Sequence, residues 1–246
     1  MPTLRLTLLR FPLPSPVTST TRIRPRLLST VLRKEMVDAV IEPSGDKIRV
    51  VSHRQYMAQD QLSPQTVLPN PLDQFRQWFK EAQGLVHEPE AMSLSTATSS
   101  GIPSSRFVLL KQVDKSGFVF FTNYTSRKSR ELEGNPYAAL ALYWAEMHRQ
   151  IRVVGRVEKV SEEESEEYFK SRPLGSRIGA WASPQSQVVN DGEVSARLKE
   201  VEEKFGLKDG TTDVDIPLPE FWGGWRVIPR HVVSLFFDTY IFISLP

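Results

Sequence analysis

The chain has 246 residues, 40% hydrophobic and 24% charged, a globular composition that fits one domain of roughly 200 residues plus a tail, or two small domains. It has no cysteine, and its four histidines (His53, His87, His148, His231) are scattered, so disulfides, thiolate chemistry and a metal site are not expected and an organic cofactor becomes the natural source of hard chemistry. Seven of the 31 basic residues and no acid lie in 1–34, leaving 24 basic against 29 acidic residues, a balance of −5, which argues against a nucleic-acid binder.

Residues 1–36 form a basic leader, rich in Arg, Ser and Thr and broken by prolines. This composition resembles a mitochondrial transit peptide, and a disordered leader without an address is the other reading. No stretch reaches the roughly 18 apolar residues of a membrane span. A polar N-terminal extension, 37–70, leads to Asn70-Pro71, an N-cap with proline at the first helical position. Leu72, Phe75, Phe79 and Ala82 then recur at helical spacing, predicting a helix over 71–83. From Ala91 the period is two, with strands expected at Met92–Ser95, Ser105–Val113 and Phe118–Thr122, separated by turn signals at Ser99-Ser100-Gly101 and Asp114–Gly117. A short helix from about Ser126 to Gly134 follows, then strands over Tyr137–Ala145 and Gln150–Val160. Ser161–Glu164 is a capping box opening a helix to about Ser171. Asn190 or Asp191 caps another helix to Phe205, and Phe221–Ile228 returns to strand. Strands in hairpin succession with peripheral helices predict a mainly β (α+β), largely antiparallel small barrel over 71–229; residues 230–246 form an apolar end.

The densest chemical signal lies between Arg106 and Lys128. Arg106 and Lys111 bracket an apolar strand and, five residues apart, point to opposite faces unless a bulge intervenes. Arg127 and Lys128 stand at a helix start, where cations oppose the helix dipole unless an anion such as a phosphate sits on the free N–H groups. Tyr168 and Arg172 share one helix face, and Ser176 follows where a new helical turn can begin, a second arrangement able to enclose a phosphate. Solvated strand ends, a tolerated basic turn and surface packing are the competing readings. Gln150, Gln185 and Ser186 are polar groups beside apolar runs, open to ligand binding or to turn chemistry. The glycines of Trp222-Gly223-Gly224-Trp225 suit close packing against the backbone.

The order of Arg-Phe-Val-Leu-Leu-Lys, Phe-Phe-Thr-Asn…Ser-Arg-Lys, Arg-Gln-Ile-Arg-Val-Val-Gly, Tyr-Phe-Lys-Ser-Arg-Pro…Ser, Ile-Gly-Ala-Trp…Gln-Ser and Phe-Trp-Gly-Gly resembles the pyridoxamine 5'-phosphate oxidase family from about Arg54 to Pro229. The resemblance implies a homodimer of FMN-binding split β-barrels that oxidises pyridoxine or pyridoxamine 5'-phosphate to pyridoxal 5'-phosphate, with molecular oxygen as acceptor and hydrogen peroxide as product. It implies FMN contacts from Arg106, Phe107, Val108, Leu109, Leu110, Lys111, Phe121, Thr122, Arg127, Lys128, Gln150, Gln185 and Ser186. It implies that Lys111, Tyr168, Arg172 and Ser176 hold the substrate phosphate. Two departures stand out. The family's Arg-x-x-Tyr segment reads His53-Arg54-Gln55-Tyr56 here, and Ile228 to Pro246 replaces the segment that carries an Arg-Leu-His-Asp-Arg motif. A replaced last exon and a split-barrel protein that binds FMN or pyridoxal phosphate without turnover are the expectations that follow from the second.

Overall fold

The computed structural model describes residues 41–44, 47–50, 68, 70–207, 214–236 and 239–244, with side chains for 68, 70–207 and 214–230. The leader 1–36 and the segment His53–Tyr56 lie outside the described residues. The chain divides into two compact units, Met1–Gln55 and Tyr56–Pro246. In the first, β1 (Ile41–Ser44) pairs antiparallel with β2 (Lys47–Val50).

The second unit opens with α1 (Pro71–Ala82), where the Asn70 side chain accepts the Leu72 N–H at 2.9 Å and Pro71 takes a position that needs no donor. Its buried face is Leu72, Phe75, Trp78 and Ala82; Phe79 lies half-buried at the margin. Then follow β3 (Ala91–Ala97), β4 (Pro103–Leu109), β5 (Gln112–Asp114), β6 (Gly117–Asn123), α2 (Arg127–Gly134), β7 (Tyr137–Trp144) and β8 (Arg149–Lys159). Helices α3 (Glu162–Ser171), α4 (Leu174–Ala182) and α5 (Glu193–Lys204) precede β9 (Trp222–Phe236) and β10 (Thr239–Ser244). The sheet runs β4-β3-β7-β8-β9-β6-β5, with β10 on β9, and every pairing is antiparallel.

The two edges of this sheet, β4 and β5, are consecutive in the chain, so two linking residues force the sheet to curl until its edges meet. The single strand expected over Ser105–Val113 is therefore two. The Leu110 N–H donates to the Glu90 carbonyl beside β3, and the next N–H, of Lys111, donates to Val119 on β6. The chain changes partners there and a continuous ladder is impossible. The result is a split β-barrel, mainly β with peripheral helices. Its interior holds Phe75, Met92, Leu94, Phe118, Phe120, Leu140, Leu142, Trp144, Ile151 and Val153. Alternate residues of β3 and β8 point into it, as period-two strands with one solvated face require.

Strand β9 is longer than the stretch Phe221–Ile228 and crosses Pro229 by a bulge. Val154 pairs with His231 but Gly155 pairs with Pro229, which leaves one extra β9 residue. A Cβ on Gly155 would lie 2.0 Å from the Ile228 carbonyl oxygen, so only glycine admits this approach. Beyond the bulge, β9 pairs with β8 on one side and with β10 on the other. A second apolar cluster, built on Phe169, Ala180, Ile216 and Trp222, joins α3 and α4 to β9. Helix α5 begins after Gly192, which adopts φ 81°, rather than directly after Asn190 or Asp191; Asn190 instead donates its backbone N–H to Glu193.

Candidate active site

A cavity of about 740 Å3 opens where the barrel is split. Arg106, Phe107, Val108 and Leu109 of β4, Lys111 of the link, Phe121 and Thr122 of β6, and Arg127 and Lys128 of α2 line it. Tyr168 and Arg172 from the end of α3, Ser176 of α4, Gln185 and Ser186 from the following loop, and Trp222 of β9 complete the wall. The break after Leu109 is what turns both Arg106 and Lys111 into one cavity. Leu110 does not line it; its side chain is buried in the barrel core. Gln150 does not line it either. It lies on β8, opposite Tyr143 of β7.

Among the described residues, five cations, Arg106, Lys111, Arg127, Lys128 and Arg172, line this cavity and no acid does. Ser126 precedes α2 without a side-chain cap, and the Arg127 N–H donates to the Ser186 hydroxyl at 3.2 Å. The Lys128 ammonium donates to Thr122 at 3.1 Å and to Gln185 at 3.3 Å. Burial, reinforced by the charge of Arg106, brings its pKa down to about 8. Hydroxyl groups, an ammonium and a helix N-terminus thus meet at the start of α2, a setting that suits an anion.

Glu131, which no motif marked, lies behind these cations and is 6% exposed. Its carboxylate accepts from Thr96 and Ser104, each at 2.5 Å, from Arg127 Nε at 2.8 Å and from Arg106 Nη2 at 3.4 Å. Burial alone would raise its pKa, but the bonds from Ser104, Thr96 and Arg127 and the Arg127 charge outweigh it and hold the pKa down to about 2. The sequence signal was present in the Arg127/Glu131 spacing of four, which puts both on one helix face.

The second cluster rests on a ring stack. Phe121 and Tyr168 stack at 4.0 Å between centroids, Phe121 and Trp222 at 5.5 Å, and the Arg172 guanidinium lies 4.8 Å from the Trp222 ring centre. Arg172 Nη1 is buried without a partner among the described residues, a donor that a bound anion would satisfy. Burial raises the Tyr168 phenol above its ordinary value, so it stays protonated and able to donate near neutral pH. The glycines of the Trp-Gly-Gly motif make room for this arrangement. A Cβ at Gly224 would lie 2.9 Å from Phe121 Cε1, and one at Gly223 would lie 2.2 Å from the Tyr124 hydroxyl. Trp222 itself lines the cavity.

A family model described as pyridoxamine 5'-phosphate oxidase matches residues 79–203. The pyridoxine/pyridoxamine 5'-phosphate oxidase of Burkholderia mallei is 53% identical over 173 residues, covering 70% of this chain and 78% of that protein. The enzyme of the same name from Psychromonas ingrahamii is 55% identical over 166 residues, covering 66% and 73%. The chain belongs to the pyridoxamine 5'-phosphate oxidase family. Among solved structures, PhzG from Burkholderia lata in complex with tetrahydrophenazine-1-carboxylic acid superposes with a TM-score of 0.65 at 27% identity, over 76% of this chain and 98% of that one. A pyridoxamine 5'-phosphate oxidase-related, FMN binding protein from Nostoc punctiforme shares the fold, with a TM-score of 0.54 at 13% identity. The span matched by the oxidase family model contains both cation clusters; of the side chains that form the ring stack, only Trp222 falls outside it.

Proposed function

We infer that this chain binds FMN and oxidises pyridoxine or pyridoxamine 5'-phosphate to pyridoxal 5'-phosphate, with oxygen as acceptor. The observation that carries this reading is one cavity with two separate cation clusters and, among the described residues, no acid, which matches a cofactor and a substrate that each carry a phosphate. The residues present fit FMN. The uncapped start of α2, with Lys128, Arg127 and Ser186, suits its phosphate, and Phe107 to Leu109 offer an apolar wall for a planar ring. Tyr168, Arg172 and Ser176, with Lys111, suit the substrate phosphate, the buried Arg172 Nη1 being the donor in want of a partner. When bound, FMN supplies hydride acceptance from the 4' carbon and return of the electrons to oxygen as hydrogen peroxide. The chain's own residues fix both phosphates and so hold two planar rings within reaction distance.

The homodimer belongs to this proposal. Residues opposite one another in an antiparallel ladder share a face, which places Phe107, Ser93, Ala141 and Arg152 together, with Gln150 two residues from Arg152 and opposite Tyr143. Phe107 is 78% exposed on that face and Tyr143 58%. A second copy seated there covers these rings and brings its Gln150 toward the cavity that Gln150 of the same chain does not reach. Import into mitochondria, on the basic leader, is part of the same reading. Binding without turnover is the second reading, favoured by Ile228 to Pro246, which replaces the segment that carries Arg-Leu-His-Asp-Arg in the family pattern.

The test is a preparation of the full chain, its flavin absorbance, and aldehyde and peroxide production when pyridoxine 5'-phosphate is added under air. A yellow protein with turnover is expected; a yellow protein without turnover selects the second reading, and a colourless one that takes up no added FMN sinks both. Arg172→Ala should weaken substrate binding by about 10- to 150-fold, the value of one charge-assisted hydrogen bond, with flavin retained.

A further inference from the structure

Glu131 does not line the cavity, yet three of its four partners do: Ser104, Arg106 and Arg127. The fourth, Thr96, is buried and donates to the carboxylate while accepting from Arg106 Nη1 at 2.6 Å. Arg106 is fixed further by the Leu94 carbonyl at 3.2 Å and by the Ser104 hydroxyl. Its Nη atoms are thereby spent inside the protein and its charge is held at the cavity wall in one orientation. Arg127 behaves differently. Glu131 takes its Nε, and the rest of the guanidinium is exposed toward the cavity mouth, with 57% of the side chain accessible.

We propose that Glu131 is the positioning residue for flavin-phosphate recognition: a buried carboxylate that clamps Arg106 and Arg127 and thereby sets the preference for FMN over the unphosphorylated flavin. The proposal rests on the FMN reading above. Two opposing effects of the carboxylate must be weighed. Its negative charge repels a phosphate, but two guanidinium groups bonded directly to it offset that charge. Its clamping keeps two long side chains from paying rotamer entropy when an anion arrives and keeps two like charges from pushing each other apart. Positioning therefore wins. A glutamine in its place keeps the volume but loses the charge, and its amide NH2 must face hydroxyl or guanidinium donors that then go unpaired in a buried site.

The measurement is the dissociation constant of FMN and of riboflavin, by flavin fluorescence quenching, for the wild-type chain and for Glu131→Gln. FMN is expected to weaken at least tenfold while riboflavin changes less than twofold, so that the FMN/riboflavin preference collapses. If the preference is unchanged, whether both flavins weaken together or neither does, Glu131 is a structural residue only and the proposal fails. Tighter FMN binding overturns it too, because the carboxylate is then chiefly a repulsive charge. Should Glu131→Gln not fold, Thr96→Val removes the hydroxyl shared by Glu131 and Arg106 with little change of shape. The preference should fall at least threefold in that variant, and an unchanged preference defeats the idea. A wild-type chain that takes up riboflavin and FMN equally, or neither, overturns the phosphate-site reading itself and is distinguished by that control.

Discussion

Raising the pH from 7 to 9 should weaken FMN binding about tenfold, and Lys128 should be the cause. Its ammonium is half-buried beside Arg106 and has a pKa near 8 rather than the ordinary 10.5, so its protonated fraction falls from about nine-tenths at pH 7 to about one-tenth at pH 9. A phosphate placed against it restores the charged form. Binding then takes up a proton above pH 8, and affinity must fall as pH rises through that value, by up to about tenfold per pH unit. At the acid end the phosphate itself, with a second pKa of about 6, loses its dianion and affinity falls again. Burial holds the Tyr168 phenol above its usual range, so it does not titrate within this window. The assay is an FMN titration by fluorescence quenching from pH 5.5 to 9.5, with riboflavin as a control expected to show a flat profile. Lys128→Met should weaken FMN about 10- to 150-fold at pH 7, the value of one charge-assisted hydrogen bond, and should abolish the alkaline limb. A wild-type dissociation constant constant within twofold from pH 7 to 9.5, or an alkaline limb that survives in Lys128→Met, would falsify the assignment of the phosphate to this lysine.

Phe107→Asp places a charge on the exposed sheet face, and loss of a buried aromatic anchor costs about 2 kcal/mol or more at an interface. Sedimentation should show a monomer that has also lost FMN; a dimer of unchanged affinity argues against this face. Gly224→Ala drives a methyl to 2.9 Å from the Phe121 ring and 2.6 Å from Val160 Cγ2. Overpacking of that kind costs about 1–3 kcal/mol, and displacement of Phe121 from Tyr168 should weaken substrate binding as well. Gly179→Ala, in α4 with open space around the new Cβ, is the control and should stabilise by about 0.5–1 kcal/mol in thermal unfolding. Equal destabilisation by the two substitutions would refute the close-approach argument for Gly224.

Local chemistry was legible in the chain alone. Asn70-Pro71 and Ser161–Glu164 announced their helices because a cap needs only residues two or three apart; the Asn70 and Ser161 side chains both accept helix N–H groups, while the Glu164 carboxylate accepts from Gln112 and Arg226. Period-two alternation gave β3, β7 and β8 because one face of each is solvated. The cations of both anion groups were visible as residue types, and the helix-start position of Arg127 and Lys128 gave them a reason to be together. What the sequence did not decide was anything that depends on the sheet curling. The partner change at Leu110–Lys111, which splits one expected strand and turns Arg106 and Lys111 into the same cavity, follows from edge strands meeting, a contact with no local signature. For the same reason Gln150 fell away from the cavity of its own chain, Trp222 entered it, and Glu131 emerged behind two arginines, one four residues away and the other 25. Residue type and short-range spacing set the chemistry available to this protein; closure of the barrel, which brings distant strands within hydrogen-bond reach, decided which of those residues share one site.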